Sequence, residues 1–317
     1  MAQFSPRSAN VAARRERNRG TGWPGGGDRA RLRFRQTGRV AGTSCAWCGS
    51  TPLTREHLVP FWLGEVLADA FGDNEGYDFG FEFIDSDGSR TTRSHPQRRP
   101  EVVVKAVCEE CNNGWMSSLE GQVRPFLEPM VRGGDARLAV ADQVALARWA
   151  AKVAVLLDHY EDGAIVLGHD DLRQIYRDGI APPSYHMRLA FRPEPGSQPF
   201  DFYVSGHHAA PTGTTDLEAP TAPNSFSVTL ALGHVVIAIV GGPGMENHER
   251  WARGSDFPLM IWPPTPDGIS WPPHAPVVRD RDGLRQFHES FWTGILNPEF
   301  PRPDALAQVE RWQTDDT

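Results

Sequence analysis

CAWCGSTPLTREHLVP, residues 45–60, is answered further along the chain by CEECNNGWMSSLEGQV, residues 108–123. Together they hold all the cysteines of the chain, Cys45, Cys48, Cys108 and Cys111, as two CxxC knuckles. Two knuckles can supply four thiolates to one tetrahedral zinc, with the chain between them held as a folded loop. A redox dithiol needs only one CxxC, at a strand-to-helix turn. Zinc that already has four sulfurs has no need of His57, so the Glu56-His57 step is left free for chemistry beside a rigid scaffold. Without metal, a loop-rich module of this kind should lose most of its order.

The pattern outward from the knuckles is α+β. Residues 61–67 (FWLGEVL) predict a short helix, and Tyr77 to Ile84 and Arg90 to Arg93 flank Asp85-Ser86-Asp87-Gly88 as a hairpin. Glu101 to Val107 is a β-branched strand that delivers the chain to Cys108. A helix is expected from about Asn112, with Trp115, Leu119, Val123 and Leu127 on one face. The clearest helix is Ala139 to Tyr160, whose apolar surface is wide enough to require burial. Asp170 to Arg177 reads as another short helix. Four strands follow: Tyr185 to Arg192, Phe200 to Val204, Ser225 to Leu232 and His234 to Val240, the last two joined at Leu232-Gly233-His234 as an antiparallel hairpin. Leu259 to Pro264 reads as an edge strand ended by proline, and Leu284 to Leu296 as a closing helix. The expected organisation is a basic flexible arm at 1–42, a zinc-stapled module at 43–130, and a mixed, mostly antiparallel α+β domain of unknown role at 131–317.

Size and composition narrow the class. At 317 residues the chain can bury a substantial core. Its arginine-rich start has no apolar run behind it, unlike a signal peptide, and Val235 to Val240 falls far short of the roughly 20 residues of a membrane helix. A cytoplasmic protein with no membrane partner is expected, and an oligomer is compatible with the pattern. The net charge of −8 is unevenly spread. Residues 1–40 carry arginines from Arg7 to Arg39 against only Glu16 and Asp28. Such an arm can bind phosphate through counterion release, or be a solvated tail with no partner. Arg55, Arg90, Arg93, Arg98, Arg99 and Lys105 make the middle of the zinc module basic too, and are candidate nucleic-acid contacts.

CxxC, then Glu-His-x-x-Pro, then CxxC-Asn at a helix start resembles the zinc-knuckle HNH endonucleases of the ββα-metal class. The likeness covers residues 43–128, under a third of the chain. It implies a ββα-metal fold and hydrolysis of phosphodiester bonds, in DNA rather than RNA. It also implies a structural Zn²⁺ and a catalytic divalent cation, Mg²⁺ first, with Mn²⁺ or Zn²⁺ as alternatives. By the resemblance His57 is the general base, and Glu56 and Asn112 are ligands of the catalytic ion; Asn113 and Glu120 are additional candidates on the same helix. The chemistry is consistent, because an imidazole titrating near pH 6.5 can take a proton from water at neutral pH.

Two departures stand out. The middle asparagine that positions the loop in that family has no counterpart in Val102 to Ala106, and Asn112 stands where histidine is commoner. Plainer roles exist for each residue: Asn112 as a helix cap, Asn113-Gly114 as a turn, Glu120 and Glu56 as solvated carboxylates, His57 as a structural histidine. The alternative to a nuclease is therefore a catalytically degenerate zinc module that binds nucleic acid or another protein.

Overall fold

The computed structural model describes residues 43–72, 77–84, 90–97, 102–160, 167–168, 170–195, 199–207, 224–242, 259–272 and 278–296, the strands at 77–84 and 90–97 and the last turns of the final helix as backbone alone. The basic arm, the Asp85–Gly88 turn, Arg98 and Arg99 lie outside the described residues.

The chain is α+β. The strand β1 (Leu53–His57) leads into the helix α1 (Phe61–Phe71), then into the antiparallel pair β2 (Tyr77–Ile84) and β3 (Arg90–Gln97). Next comes β4 (Val103–Cys108), which returns antiparallel to β1 with Leu53 opposite Cys108 and His57 opposite Val103. The register shifts by one residue between Thr54 and Glu56, where β4 carries the extra residue.

The helix after β4 starts earlier than its sequence suggests. A first turn, α2 (Glu109–Cys111), runs into a π-helical stretch, Asn112–Met116, and then α3 (Ser117–Val131). Asn112 is therefore inside the helix, at φ −61° and ψ −58°, and does not cap it. The break comes two residues later at Gly114, whose φ of −89° and ψ of −108° leave the helical region. Beyond it Leu119, Val123 and Leu127 face inward as their spacing predicts, while Trp115 is only half-buried.

The helix α4 (Val140–Tyr160) follows a short strand, β5 (Ala136–Leu138). It is buried on almost every side, including at Gln143, Lys152 and Asp158. Gln143 explains itself: its amide nitrogen donates to the carbonyls of Leu138 and Thr265, and its oxygen accepts from the Thr265 amide at 2.7 Å. A short helix, α5 (Asp171–Arg173), continues as a π turn, Gln174–Asp178. Five antiparallel strands then make the main sheet in the order β10-β6-β9-β8-β7: β6 (His186–Phe191), β7 (Phe200–His207), β8 (Ser225–Leu232), β9 (Val235–Gly241) and, at one edge, β10 (Leu259–Trp262). The strand β11 (Ile269–Trp271) pairs with β5, and α6 (Arg281–Leu296) closes the description.

Strand alternation assigns the two faces of this sheet. Phe226, Val228, Leu230, Val235, Ile237 and Ile239 belong to the core shared with α4, while Ala231, Val236, Ala238 and Val240 belong to a second cluster with Leu284 and Phe287 of α6. Each buried Val, Leu, Ile or Phe side chain here contributes roughly 1.5–3 kcal/mol, so both faces of the sheet add substantially to stability. The first cluster is continuous from Cys45 and Trp47 through α4 to Trp262 and Trp271. The β8–β9 turn is also close to α3: the His234 amide donates to the Val131 carbonyl at 3.1 Å, and Gly233 takes a positive φ of 56° beside it.

Candidate functional site

The four cysteine sulfurs lie within 4.8 Å of one another. Cys45 is set by a turn in which its amide donates to the Ser50 carbonyl, and the neighbouring Ala46 amide donates to Ala106 on β4. Cys108 ends β4 and Cys111 follows in the first helical turn, so one strand end and one helix start carry the second knuckle. Cys48 Sγ and Cys108 Sγ are 3.5 Å apart. A tetrahedral zinc with Zn–S near 2.3 Å would place its sulfurs roughly 3.8 Å apart, so the cluster suits a structural zinc ion.

Its thiols are in electrostatic conflict without a cation. Hydrogen bonding from Ser50, side chain first and backbone second, pulls the exposed Cys48 thiol down to about 6. Burial, and then the neighbouring sulfurs, push the Cys111 thiol well up. At Cys108 a hydrogen bond from the Cys111 backbone acts to lower the value, but burial and the Cys48 and Cys45 sulfurs outweigh it and push the thiol up. A dication at the centre would resolve this by favouring all four thiolates.

Residues distant in sequence brace the cluster. The Trp47 and Trp115 rings meet edge-to-face at 5.0 Å. Arg148 of α4 lies 4.9 Å over Trp115 and donates to the carbonyls of Ile175 and Tyr176. The Tyr176 ring is 5.8 Å from Trp115, and the Cys111 sulfur, followed by burial, raises its hydroxyl pKa.

The Glu56-His57 step lies at the end of β1. Adjacent residues of a strand point to opposite sides. Glu56 is 7 % exposed, while His57 is half-buried and Arg55 exposed. Glu56 meets a residue that the sequence reading missed: the Lys152 ammonium, itself 0 % exposed, lies 3.4 Å from Glu56 Oε1 and 2.6 Å from Glu120 Oε1. Burial raises the Glu56 carboxyl above its ordinary value, Lys152 pulls it back, and Glu120 pushes it up again. The missed signal was a lone lysine in Ala150-Ala151-Lys152-Val153-Ala154-Val155, a stretch otherwise apolar. A buried ammonium needs anionic partners, and these come from β1 and α3.

The remaining predicted residues fall in three places. Asn112 reaches back to β1, where its side-chain nitrogen donates to the Arg55 carbonyl at 3.2 Å and Thr54 Oγ1 at 3.4 Å. Arg55 and Lys105 are exposed on the paired strands β1 and β4, close to the shift in register. Asn113 is exposed, and Arg90 and Arg93 are on β3, opposite Ile84 and Phe81. So the structure gathers Glu56 and Glu120 at Lys152, and Asn112 at the strand preceding His57.

No known protein family, curated protein or solved structure matches this chain. Among the described residues the four cysteines are the cluster suited to a metal, and no helix is long and apolar enough to cross a membrane. A second buried polar group lies under α6, where His288 takes Ser205 Oγ on Nε2 and Thr229 Oγ1 on Nδ1, each at 2.9 Å. With both ring nitrogens bonded and 3 % exposure, it is a core histidine.

Proposed function

We propose that this chain is a zinc-stapled, HNH-like endonuclease that hydrolyses phosphodiester bonds in DNA. The observation that carries the reading is the juncture of β1, β4 and the helix after Cys108, on the same frame as the four-cysteine cluster: Asn112 ties the strand bearing Glu56 and His57 to the helix start. In this reading His57 is the general base and takes a proton from the attacking water. Arg55 and Lys105 contact the phosphate backbone from the exposed side of the strand pair. Asn112 acts mainly by holding β1, the positioning role for which Val102 to Ala106 offers no asparagine.

Glu56 and Glu120 do not form a free cation site: the buried Lys152 ammonium engages both, and Glu56 faces the side of β1 opposite His57 and Arg55. In the nuclease reading a divalent ion such as Mg²⁺ would supply charge stabilisation to the phosphate and the leaving oxygen, and it would have to displace Lys152 to use these two carboxylates. Lys152 also favours a second reading. A module whose carboxylates are permanently engaged by a buried lysine would bind nucleic acid through its basic face without cutting it.

Supercoiled-plasmid nicking by the zinc-loaded protein in Mg²⁺, Mn²⁺ or EDTA separates the two readings, with folded, zinc-loaded His57→Ala as control. Divalent-dependent nicking that His57→Ala abolishes is the expected result. Salt-sensitive DNA binding with no nicking in any metal would sink the nuclease and leave the binding module.

A further inference from the structure

The four cysteines are alike in sequence but not in surroundings. Cys45, Cys108 and Cys111 are buried, at 3 %, 4 % and 2 % exposure, whereas Cys48 is exposed. Gly49 beside it, at φ 78°, has no atom beyond its chain neighbours within 4 Å of where a side chain would begin, so this end of the turn projects into open space. The inner side of the same turn is fixed to β4. The Ala46 amide donates to the Ala106 carbonyl at 2.9 Å, and Leu53, just beyond the knuckle, lies opposite Cys108. That seam brings the sulfur of exposed Cys48 to 3.5 Å from the sulfur of buried Cys108, although sixty positions separate them in sequence. An accessible sulfur with a second sulfur in reach behind it is the arrangement of an oxidisable thiol and its resolving partner.

We propose that Cys48 is an oxidative modification site: hydrogen peroxide oxidises its thiolate, and Cys108 resolves the product to a disulfide between the two knuckles, with loss of the zinc. In the first step the Cys48 sulfur attacks one peroxide oxygen and the O–O bond breaks. The other oxygen takes a proton and leaves as water, and Cys48 becomes a sulfenic acid. In the second step the Cys108 thiolate attacks that sulfur, the S–S bond forms, and the sulfenic oxygen takes a proton and leaves as a second water. The two sulfurs together lose two electrons, and the peroxide is reduced to water. A site left with the sulfurs of Cys45 and Cys111 no longer offers the four thiolates of a structural zinc. The new bond ties the first knuckle to the end of β4, so the β1–β4 pair stays joined while the helix start at Cys111, with Asn112 next to it, loses its metal anchor. The inference needs the metal cluster and does not depend on the nuclease reading.

The test treats the full-length, zinc-loaded chain with hydrogen peroxide. Zinc release is followed with a chromogenic chelator, and the oxidised cysteines are located by differential alkylation and peptide mass spectrometry. The first disulfide should join Cys48 to Cys108, with one zinc released for each disulfide formed. A thiol reductant with added zinc should restore the metal-loaded protein, and the near-ultraviolet circular dichroism of Trp47 and Trp115 should fall and return with the metal. Cys48→His keeps a zinc-ligating nitrogen but removes the thiol, and should release zinc about tenfold more slowly in the same peroxide. If that variant does not hold zinc, the wild-type map decides alone. A first disulfide within either knuckle or from Cys48 to Cys111 overturns the proposal, as does zinc loss while Cys48 is still reduced. Cys48 over-oxidised with no disulfide, irreversible loss of the metal, equal release by a zinc-loaded Cys48→His, or zinc retained in peroxide that already oxidises the methionines would each do the same. None of these readouts involves nucleic acid, so plasmid nicking can fail while the thiol site stands, and the reverse.

Discussion

Replacing Lys152 with methionine should be among the more costly single changes in this chain, and its cost should depend on pH. Methionine fills much the same volume but leaves Glu56, 7 % exposed, with no counter-charge and Glu120 beside it. Removing one partner of a buried ion pair costs about 3–5 kcal/mol. The lower figure applies here, because Glu120 keeps enough exposure to regain water. Glu56 also sets the sign of the pH dependence. Its carboxyl in the folded protein titrates above the ordinary 4.5, so the folded state holds its proton more tightly than the unfolded chain does. Stability therefore falls as pH rises through that window and levels off above it. Loss of Lys152, whose charge pulls the Glu56 carboxyl down, moves the upper edge of the window higher. Urea unfolding of zinc-loaded wild type and Lys152→Met should differ by about 3 kcal/mol at pH 8 and by less at a mildly acidic pH, where Glu56 of the variant takes up its proton. Adding Glu56→Gln should restore most of the pH 8 loss. A difference below about 1 kcal/mol at pH 8, or an equal difference at both pH values, would refute the account of the triad as a buried, ionised cluster.

The metal cluster predicts one tightly held zinc per chain by mass spectrometry. Its removal by a chelator, or Cys108→Ser, should abolish the near-ultraviolet circular dichroism of Trp47 and Trp115, and retention of that signal would count against a structural metal. Gly233→Ala should destabilise by more than about 2 kcal/mol in thermal or urea melts. The added Cβ would collide with the Val131 carbonyl oxygen at a positive φ, so a neutral substitution would show that the hairpin and α3 are not in contact as described.

Short-range pattern was legible where one residue's chemistry dictates its surroundings. The cysteine spacing announced a metal cluster, and the turn at Leu232-Gly233-His234 announced the β8–β9 pair, which registers with Leu232 opposite Val235. The Val140–Tyr160 helix was visible because apolar residues cover so much of it. Lys152 was not read, since a lysine in a helix is ordinary unless the surface over it is known to be covered. What covers it is Glu56, ninety-six positions earlier in the chain. The start of the helix after β4 was misplaced for a related reason. Asn112 has the chemistry of a cap, but Thr54 and Arg55 on a distant strand claim its side chain. The β5–β11 pairing joins residues too far apart for local periodicity to reveal.

Arg148 and Tyr176 have a practical bearing on portability. Knuckle modules are attractive as transplantable parts, and residues 43–131 look like one. Cut there, the piece would carry its four sulfurs but leave behind the guanidinium over Trp115, the phenol near Cys111 and the ammonium between two acids. A graft into another scaffold would need α4 and the 171–178 segment to travel with it. The minimal transferable unit is thus defined by what surrounds the metal cluster, well beyond the span of its ligands.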